Sequence, residues 1–270
     1  MGKPRITVLV AATSAAGYVL ASPHGADLGR LGWLLAGVAL ASASTACLNQ
    51  ALEADLDALM ERTKRRPLPS GRVTRDAALR LGLGWGAGGL ALLAWKANAA
   101  AFALTAFTLL SYLLAYTPMK RRSPWSLWVG AVPGALPPVI GWAAAAPLDA
   151  SAAGLFLLQF AWQLPHFLAL AWTYREDYAR AGFRICAFQA PGPWLGAASG
   201  GLAFAGLLPY ATGLAGTPYL LSAALLGAAL LAAARSLRAS ADLGARRVFL
   251  ASLVYLPSVY ALLLLGPVNQ

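Results

Sequence analysis

The stretch LGWLLAGVALASASTACLNQALEADLDALMERTKRRPLPSGRV, residues 31–73, decides the fold. It begins with an apolar run of about 20 residues, enough for one helix to cross the ~30 Å hydrocarbon core of a bilayer. It ends in a polar segment, residues 49–73, in which carboxylates are followed directly by basic residues. An apolar run joined to such a segment is typical of a membrane helix that leaves the bilayer at one face.

Apolar runs separated by short polar breaks continue along all 270 residues. Hydrophobic residues make up 59% of the chain and charged residues only 11%, whereas soluble domains are about 25% charged. We therefore predict an all-α polytopic membrane protein, with residues 1–270 forming a single transmembrane domain. The first run is long and further runs follow, so we interpret it as a retained helix and not as a signal peptide. The nine predicted spans are residues 5–22, 31–50, 77–95, 99–118, 126–146, 151–174, 193–213, 217–235 and 247–265.

The positions of the basic residues predict the topology. A net charge of +11 on a soluble surface would suggest a nucleic-acid partner. Here 19 of the 21 Lys and Arg residues fall in alternate segments, and only Arg30 and Lys96 fall on the other side. The positive-inside rule then places the N-terminus and the basic loops in the cytoplasm, and an odd number of spans places the C-terminus outside. We expect the lipid bilayer, and no nucleic acid, as the partner. No Arg- and Ser-rich transit peptide is visible, which favours the cytoplasmic (inner) membrane of a bacterium.

Three oxygen-bearing residues in the polar segment recur at helical spacing. Asn49, Glu53 and Asp57 lie on one face if the second span continues as a helix. Mg²⁺ prefers oxygen ligands and commonly bridges one or two carboxylates to substrate phosphates. The basic residues that follow could bind the remaining phosphate oxygens; they are Arg62, Lys64, Arg65 and Arg66. A solvated loop whose cations only set the topology is the alternative interpretation.

Two further polar clusters lie beside predicted spans, YTPMKRRSPW at residues 116–125 and FAWQLPHFLALAWTYREDYARAG at residues 160–182. In the first cluster, the three basic residues at the end of the span could instead be ordinary anchors at the membrane interface. A lone histidine in a membrane helix is more often a hydrogen-bonded packing residue than a ligand. A carboxylate in the second cluster could supply a further metal ligand. The residues of interest in the two clusters are Tyr116, Lys120, Arg121, Gln163, His166, Arg175, Asp177 and Tyr178.

These residues resemble the intramembrane prenyltransferase superfamily typified by 4-hydroxybenzoate polyprenyltransferase. The superfamily motif of Asn, three residues, Asp, three residues, Asp is matched by Asn49, Glu53 and Asp57, with Asp55 between them, and Glu53 replaces the first Asp. Within the superfamily, further blocks resemble the heme O synthases. These blocks are MERTKRRPLPSG (60–71), YTPMKR (116–121), GALPPVIGW (134–142), WQLPHF (162–167) and REDYARAG (175–182).

The resemblance implies nine helices around a central cavity that opens sideways to lipid and is capped by the polar loops. It implies transfer of the farnesyl group of farnesyl diphosphate to a vinyl side chain of heme B, with addition of water, to give heme O for terminal oxidases. Mg²⁺ is the implied cofactor, whereas heme B is a substrate. A downstream heme A synthase or oxidase assembly is a further implied partner. The implied metal ligands are Asn49, Glu53, Asp57 and Asp177.

The same resemblance implies roles for individual residues. His166 is expected to contact heme, as an iron ligand or by orienting a propionate. The implied catalytic residues are Asn49, Glu53, Asp57, Lys120, Arg121 and Asp177. The implied substrate-binding residues are Asp55, Arg62, Lys64, Arg66, Tyr116, Gln163, His166, Arg175 and Tyr178.

Two alternative functions stay open at this point. One is a related membrane prenyltransferase that acts on an aromatic acid, a quinone precursor or chlorophyllide. The other is a transporter, since Pro and Gly within spans and polar residues at their ends also suit alternating access. The carboxylates argue against a transporter, because they gather at one membrane face and not at the midplane.

Overall fold

The computed structural model describes residues 1–186 and 190–266, and every regular element in this part of the chain is a helix. The sequence predicts that the C-terminus lies outside the cell; residues 267–270, on which this prediction falls, are outside the described residues. The helices are α1 Pro4–Leu20, α2 Leu28–Leu52, α3 Ala54–Leu59, α4 Arg75–Lys96, α5 Ala99–Arg122, α6 Ser126–Ala145, α7 Ala150–Thr173, α8 Arg175–Arg180, α9 Pro191–Ala205, α10 Leu208–Ala211, α11 Thr217–Arg238 and α12 Ala241–Leu265.

Seven of these helices are long and apolar enough to cross a membrane, namely α2, α4, α5, α6, α7, α11 and α12. The other two predicted spans fall on shorter helices. Helix α1 has 17 residues. The run at residues 193–213 is divided, because α9 ends after 15 residues and α10 starts again at Leu208. The chain is thus a multi-pass, all-helical membrane protein, which is the class that the sequence predicted.

Polar side chains in the short loops cap the helices that follow. A helix leaves its first N–H groups without partners, and an Asp, Asn, Ser or Thr at the N-cap accepts hydrogen bonds from them. Asp27 accepts from the N–H groups of Gly29 and Arg30 at 2.9 and 3.0 Å. The same is done for α4, α5, α7 and α12 by Thr74, Asn98, Asp149 and Ser240. These caps fix where the apolar runs begin as helices.

Small residues let neighbouring helices approach closely, as is usual in membranes. A Cβ atom on Gly141 of α6 would lie 1.8 Å from the carbonyl oxygen of Ser14 in α1. A Cβ atom on Gly37 of α2 would lie 2.6 Å from the side chain of Leu93 in α4. The largest buried cluster joins α7, α9, α11 and α12 and includes Leu155, Leu158, Leu195, Leu202, Leu230, Val248 and Leu256.

Two irregularities in the helices shape the polar end of the bundle. Helix α5 contains a π-helical turn at Ser111–Tyr116. Helix α2 ends at Leu52 and α3 begins at Ala54, with Glu53 between them at φ −106° and ψ 14°. The expected continuous helix through residues 49–57 is therefore wrong at Glu53. The helical spacing survives the break, because the N–H groups of Glu53 and Asp57 still donate four residues back, at 3.0 and 2.8 Å.

Candidate active site

The break in α2 and the π turn in α5 meet at a buried polar cluster. Asn49 Nδ2 donates to Glu53 Oε2 at 2.9 Å and to Thr117 Oγ1 of α5 at 3.2 Å. Lys120 Nζ donates to both carboxylate oxygens of Glu53, at 2.8 and 2.9 Å. Asn49 and Glu53 are only 2% and 6% exposed. The cluster therefore contains a buried ion pair between Glu53 and Lys120. It lies beside a π turn, and such turns are frequent at functional sites.

Asp57 forms a second buried ion pair in the same region. Arg66 Nη1 donates to both of its carboxylate oxygens, at 2.8 and 2.7 Å, and Asp57 is 1% exposed. Thr63 Oγ1 donates to the backbone carbonyl of Asp57 at 2.8 Å. The segment after α3 thus folds back over the carboxylate. Removing one partner of a buried pair costs about 3–5 kcal/mol, because it leaves the other charge without compensation.

Lys3 belongs to this cluster, although its position in the sequence suggested only a topological role. The N-terminus is held against α2 by Gln50, whose Nε2 donates to the Met1 carbonyl at 2.5 Å. Lys3 has a left-handed backbone with φ 44°, which is uncommon for a residue with a side chain. Burial lowers the pKa of Lys3 to about 8, helped by Arg66 and Lys120 and opposed by Glu53 and Asp57.

Asp177 attaches α8 to the segment that follows α3. Its carboxylate accepts the backbone N–H groups of Glu61 and Arg62 at 3.2 and 3.3 Å and pairs with Arg180. Burial acts to raise the pKa of Asp177, but these N–H donors and the guanidinium outweigh it and hold the pKa below its usual value. Sequence reasoning named Asp177 but missed Arg180, which lies three residues later.

A cavity of about 570 Å³ lies beside this attachment. The guanidinium of Arg62 lies 5.3 Å from the ring centre of Tyr174. Arg175 pairs with Asp242 of α12 at 3.0 Å and donates to the Trp172 carbonyl at 3.1 Å. Both predicted arginines thus line one pocket, but Arg175 already has a carboxylate partner that the sequence did not reveal. The pocket is lined by Glu61, Arg62, Thr173, Tyr174, Arg175, Glu176, Asp177 and Arg180.

Some of the other predicted polar residues pack against neighbouring side chains, and others are exposed. Tyr116 lies under Lys120, whose Nζ is 4.7 Å from the ring centre. The ring of Tyr178 packs 5.5 Å from that of Phe183. Four of the residues with implied catalytic or substrate-binding roles lie at the exposed surface, namely Asp55, Arg62, Lys64 and Arg121. Lys64 forms an exposed ion pair with Glu61 at 2.5 Å.

Gln163 and His166 lie within α7. Gln163 is buried and donates to the carbonyls of Ala131 and Gln159 at 3.0 and 3.2 Å, so its amide is used in helix packing. His166 stacks between Trp162 and Phe249, with ring centres 4.8 and 4.9 Å away. Its Nδ1 is 3.0 Å from Ser252 Oγ. Among the described residues, Nε2 has no hydrogen-bond partner and is the nitrogen left for a ligand.

The donor chemistry fits Mg²⁺, but the predicted four ligands are not assembled. In the described part of the chain, no three His, Cys, Asp or Glu side chains form a group that could hold a metal. Asn49 and Glu53 are hydrogen-bonded to each other, whereas Asp57 and Asp177 are paired with different arginines. Mg²⁺ needs only one or two carboxylates when waters and substrate phosphates complete its shell. Buried Glu53 and Asp57 supply such carboxylates.

Comparison with known proteins identifies the class. The chain matches the UbiA prenyltransferase family over residues 10–261 and therefore belongs to that family. It is 42% identical to the protoheme IX farnesyltransferase of Anaeromyxobacter sp. (strain Fw109-5), over 98% of this chain and 92% of the relative. It is 41% identical to that of Solibacter usitatus (strain Ellin6076), over 97% and 96%. The superfamily resemblance drawn from the motifs is confirmed.

Solved structures share the fold at low sequence identity. A digeranylgeranylglyceryl phosphate synthase superposes with a TM-score of 0.80 at 16% identity, covering 98% of this chain and 99% of that one. A UbiA homologue from Archaeoglobus fulgidus bound to GPP and Mg²⁺ gives a TM-score of 0.64 at 16% identity, covering 97% and 99%. At these identities the likeness concerns the fold alone.

Proposed function

We propose that the protein transfers the farnesyl group of farnesyl diphosphate to a vinyl side chain of heme B (protoheme IX), with addition of water, to make heme O. Supporting this, relatives 42% and 41% identical over nearly their full length are named protoheme IX farnesyltransferases. The structural observation that carries the proposal is the pairing of Glu53 with Lys120 and of Asp57 with Arg66 in one buried cluster.

The chemistry sets what the cluster must do. The bond between the farnesyl C1 carbon and its diphosphate oxygen breaks, and diphosphate leaves with the electron pair. A new carbon–carbon bond joins C1 to the terminal vinyl carbon of heme B. Water adds to the cation left on the adjacent carbon and releases a proton. The main requirement is therefore to neutralise charge on the leaving diphosphate, which preorganised cations do effectively in a site shielded from water.

The two ion pairs could neutralise the diphosphate by exchanging partners, with the carboxylates binding Mg²⁺ and the basic side chains binding phosphate oxygens. Mg²⁺, when bound, would neutralise diphosphate charge. The Asn49 side-chain oxygen and the Glu53 and Asp57 carboxylates would hold it, as the resemblance implies. Lys120 and Arg66 would then turn from the carboxylates to phosphate oxygens, and the charged Lys3 amine would bind phosphate as well. Such an exchange leaves no buried charge without a counter-charge.

Residues outside the two pairs take the remaining predicted roles. Arg62 and Arg175 line the adjoining cavity and would bind anionic groups of a substrate, for which a planar guanidinium is well suited. Asp177 would hold the loop that carries Arg62, and would serve as a further metal ligand only if Arg180 moved away. His166 would contact heme B through Nε2, oriented by its bond to Ser252.

We also propose nine membrane crossings around a central cavity open to lipid, in the cytoplasmic membrane of a bacterium. The N-terminus and the candidate active site would face the cytoplasm and the C-terminus the outside. The distribution of 19 of the 21 Lys and Arg residues supports this orientation. The two exceptions lie together at the other end of α2, where Lys96 Nζ is 5.7 Å from the Trp33 ring and Arg30 reaches the Ala97 carbonyl at 3.4 Å. Heme O would pass to a heme A synthase or to oxidase assembly.

A panel of acceptors tests the proposed function. Purified protein in lipid receives farnesyl diphosphate and Mg²⁺, together with heme B, an aromatic acid, a quinone precursor or chlorophyllide, each alone. We expect farnesyl transfer to heme B only. Transfer to another acceptor but not to heme B would favour the related prenyltransferase. Flux across proteoliposomes without any transfer would favour a transporter.

A further inference from the structure

A second groove, of about 410 Å³, lies between α9 and α11, and none of its lining residues within the described part of the chain belongs to the candidate active site. Gly192 and Gly196 are one helical turn apart on the α9 side. Within the described ranges 1–186 and 190–266, a Cβ atom on either glycine would meet no atom within 4 Å, so this side of the groove is open there. The α11 side combines apolar side chains with two guanidinium groups. The lining residues are Gly192, Gly196, Leu231, Ala234, Arg235, Leu237 and Arg238.

The groove lies at the same end of the bundle as the candidate active site. Helix α12 starts just after Arg238, and its Asp242 pairs with Arg175 beside the cavity described above. Toward the other end of α11, a Cβ atom on Gly227 would lie 3.1 Å from Ala203 of α9. The two helices are therefore in contact there, and the groove ends. Arginines at the end of a membrane span place their charge at the level of the lipid headgroups.

The side chains of the two groove arginines are exposed, and within residues 1–186 and 190–266 neither side chain forms a hydrogen bond or an ion pair. Arg247 adds positive charge nearby and donates to Ser236 Oγ at 2.9 Å. Asp242, in the first turn of α12, is already bound to Arg175 and to the indole N–H of Trp172, at 3.0 and 2.7 Å. The groove is therefore strongly attractive to an anion.

We propose that this groove binds an anionic phospholipid, with the headgroup phosphate on Arg235 and Arg238 and one acyl chain along Leu231 and the two glycines. Two guanidinium groups can bind several phosphate oxygens at once. Basic pockets between membrane helices are known sites for acidic headgroups. The apolar part of the groove distinguishes a lipid from free phosphate, because only a lipid has a chain to fill it.

The test measures lipid affinity on the purified full chain in neutral detergent. Phosphatidylglycerol and phosphatidylcholine are titrated against the wild type and the double variant Arg235→Gln/Arg238→Gln, and bound lipid is followed by native mass spectrometry. A basic residue near a lipid surface contributes about 1 kcal/mol, or about fivefold in affinity. We expect roughly 25-fold weaker binding of phosphatidylglycerol by the double variant, and little binding of phosphatidylcholine by either protein.

Two further variants test whether loss of lipid binding is specific to the groove. Gly196→Leu fills the groove without removing a charge, and we expect it to weaken phosphatidylglycerol binding as well. Arg75→Gln/Arg80→Gln removes two exposed arginines at the start of α4 and should bind phosphatidylglycerol as the wild type does. An equal loss in this control, or unchanged binding by Gly196→Leu, would overturn the proposal. Equal competition by inorganic phosphate would also overturn it and leave a simple anion site.

Farnesyl transfer provides an independent readout. The groove lies apart from the residues assigned to the reaction, so Arg235→Gln/Arg238→Gln should retain near-wild-type transfer in detergent. Lipid binding is measured without substrates, and its outcome therefore does not depend on the proposed reaction. Normal lipid affinity in a wild-type protein that fails to transfer farnesyl would contradict only the proposed function.

Discussion

Lys120 Nζ lies 2.8 and 2.9 Å from the two carboxylate oxygens of Glu53, although the residues are 67 positions apart in the sequence. Both side chains are largely buried, with 14% and 8% of their surfaces exposed. A buried ion pair is seldom a net gain in stability over apolar packing, because both charges lose their hydration. We therefore propose a functional role for the pair, in which the carboxylate and the ammonium group compensate each other's charge until metal and phosphate replace them.

Substitutions at Glu53 test whether the reaction needs the carboxylate itself or also the length of the glutamate side chain. We expect Glu53→Gln to lower kcat for heme O formation about 100-fold, the usual order for losing one electrostatic contact in a transition state. Glu53→Asp, which restores the residue typical of the superfamily, should lose no more than about tenfold. Initial rates at saturating farnesyl diphosphate and Mg²⁺ measure both. Asp76→Asn, at an exposed position in α4, is the matched control. Equal rates for Glu53→Gln and Glu53→Asp would contradict a metal-binding role.

The pair of Asp57 and Arg66 makes a prediction about stability. Arg66→Met should lower the free energy of unfolding by about 3–5 kcal/mol, because it leaves a buried carboxylate without a counter-charge. Adding Asp57→Asn should recover most of this loss, since the amide carries no charge. The double variant should nevertheless stay inactive. Denaturant unfolding in detergent and transfer assays measure the two properties, and simple additivity of the two stability losses would contradict the pairing.

Lys3 makes a prediction about pH. Its pKa is lowered to about 8, so the side chain is charged below that pH and neutral above it. If the charged amine binds diphosphate, KM for farnesyl diphosphate should rise as the pH increases through 8. Arg stays charged throughout this range, so Lys3→Arg should remove that rise. Lys3→Met should have a raised KM already below pH 8. The same pH profile of KM in wild type and Lys3→Arg would exclude Lys3 as the titrating group.

His166 distinguishes heme binding from farnesyl diphosphate binding. We expect His166→Ala to weaken heme B binding roughly 100-fold and to leave KM for farnesyl diphosphate unchanged. Ser252→Ala, which only frees the imidazole, should weaken heme binding about tenfold, as is usual for a residue that orients a ligand. Absorption titrations with heme B measure both. A heme spectrum and affinity unchanged in His166→Ala would assign the histidine to packing between Trp162 and Phe249.

Much of this architecture can be predicted from sequence because a membrane imposes simple rules. A helix in lipid must satisfy its own backbone and be apolar along its length, so the apolar runs coincide with helices, except that the run at residues 193–213 is divided between two. The capping residues Asp27, Thr74 and Asn98 fix several starts. Asn49, Glu53 and Asp57, which the sequence singled out by their helical spacing, are all buried, even though the helix breaks at Glu53.

The rest depends on contacts that no local pattern encodes. The bond from Lys120 to Glu53 requires α5 to pack against α2. The π turn just before Thr117, to which Asn49 donates, has no signal in the sequence. Lys3 joins the cluster because Gln50 holds the N-terminus. These long-range contacts define the site, whereas hydropathy and charge counts define only the spans and their ends.

The mass of the heme product is the most direct test of the central claim, that this cluster supports Mg²⁺-dependent farnesyl transfer to heme B. Purified protein in lipid is incubated with heme B and farnesyl diphosphate, with and without Mg²⁺, beside the variant Asp57→Ala. The expected product has the mass of heme B plus one farnesyl and one hydroxyl group, formed only by the wild type with Mg²⁺. Unmodified heme B from the wild type, in a lipid system that supports a related farnesyltransferase, would contradict the claim.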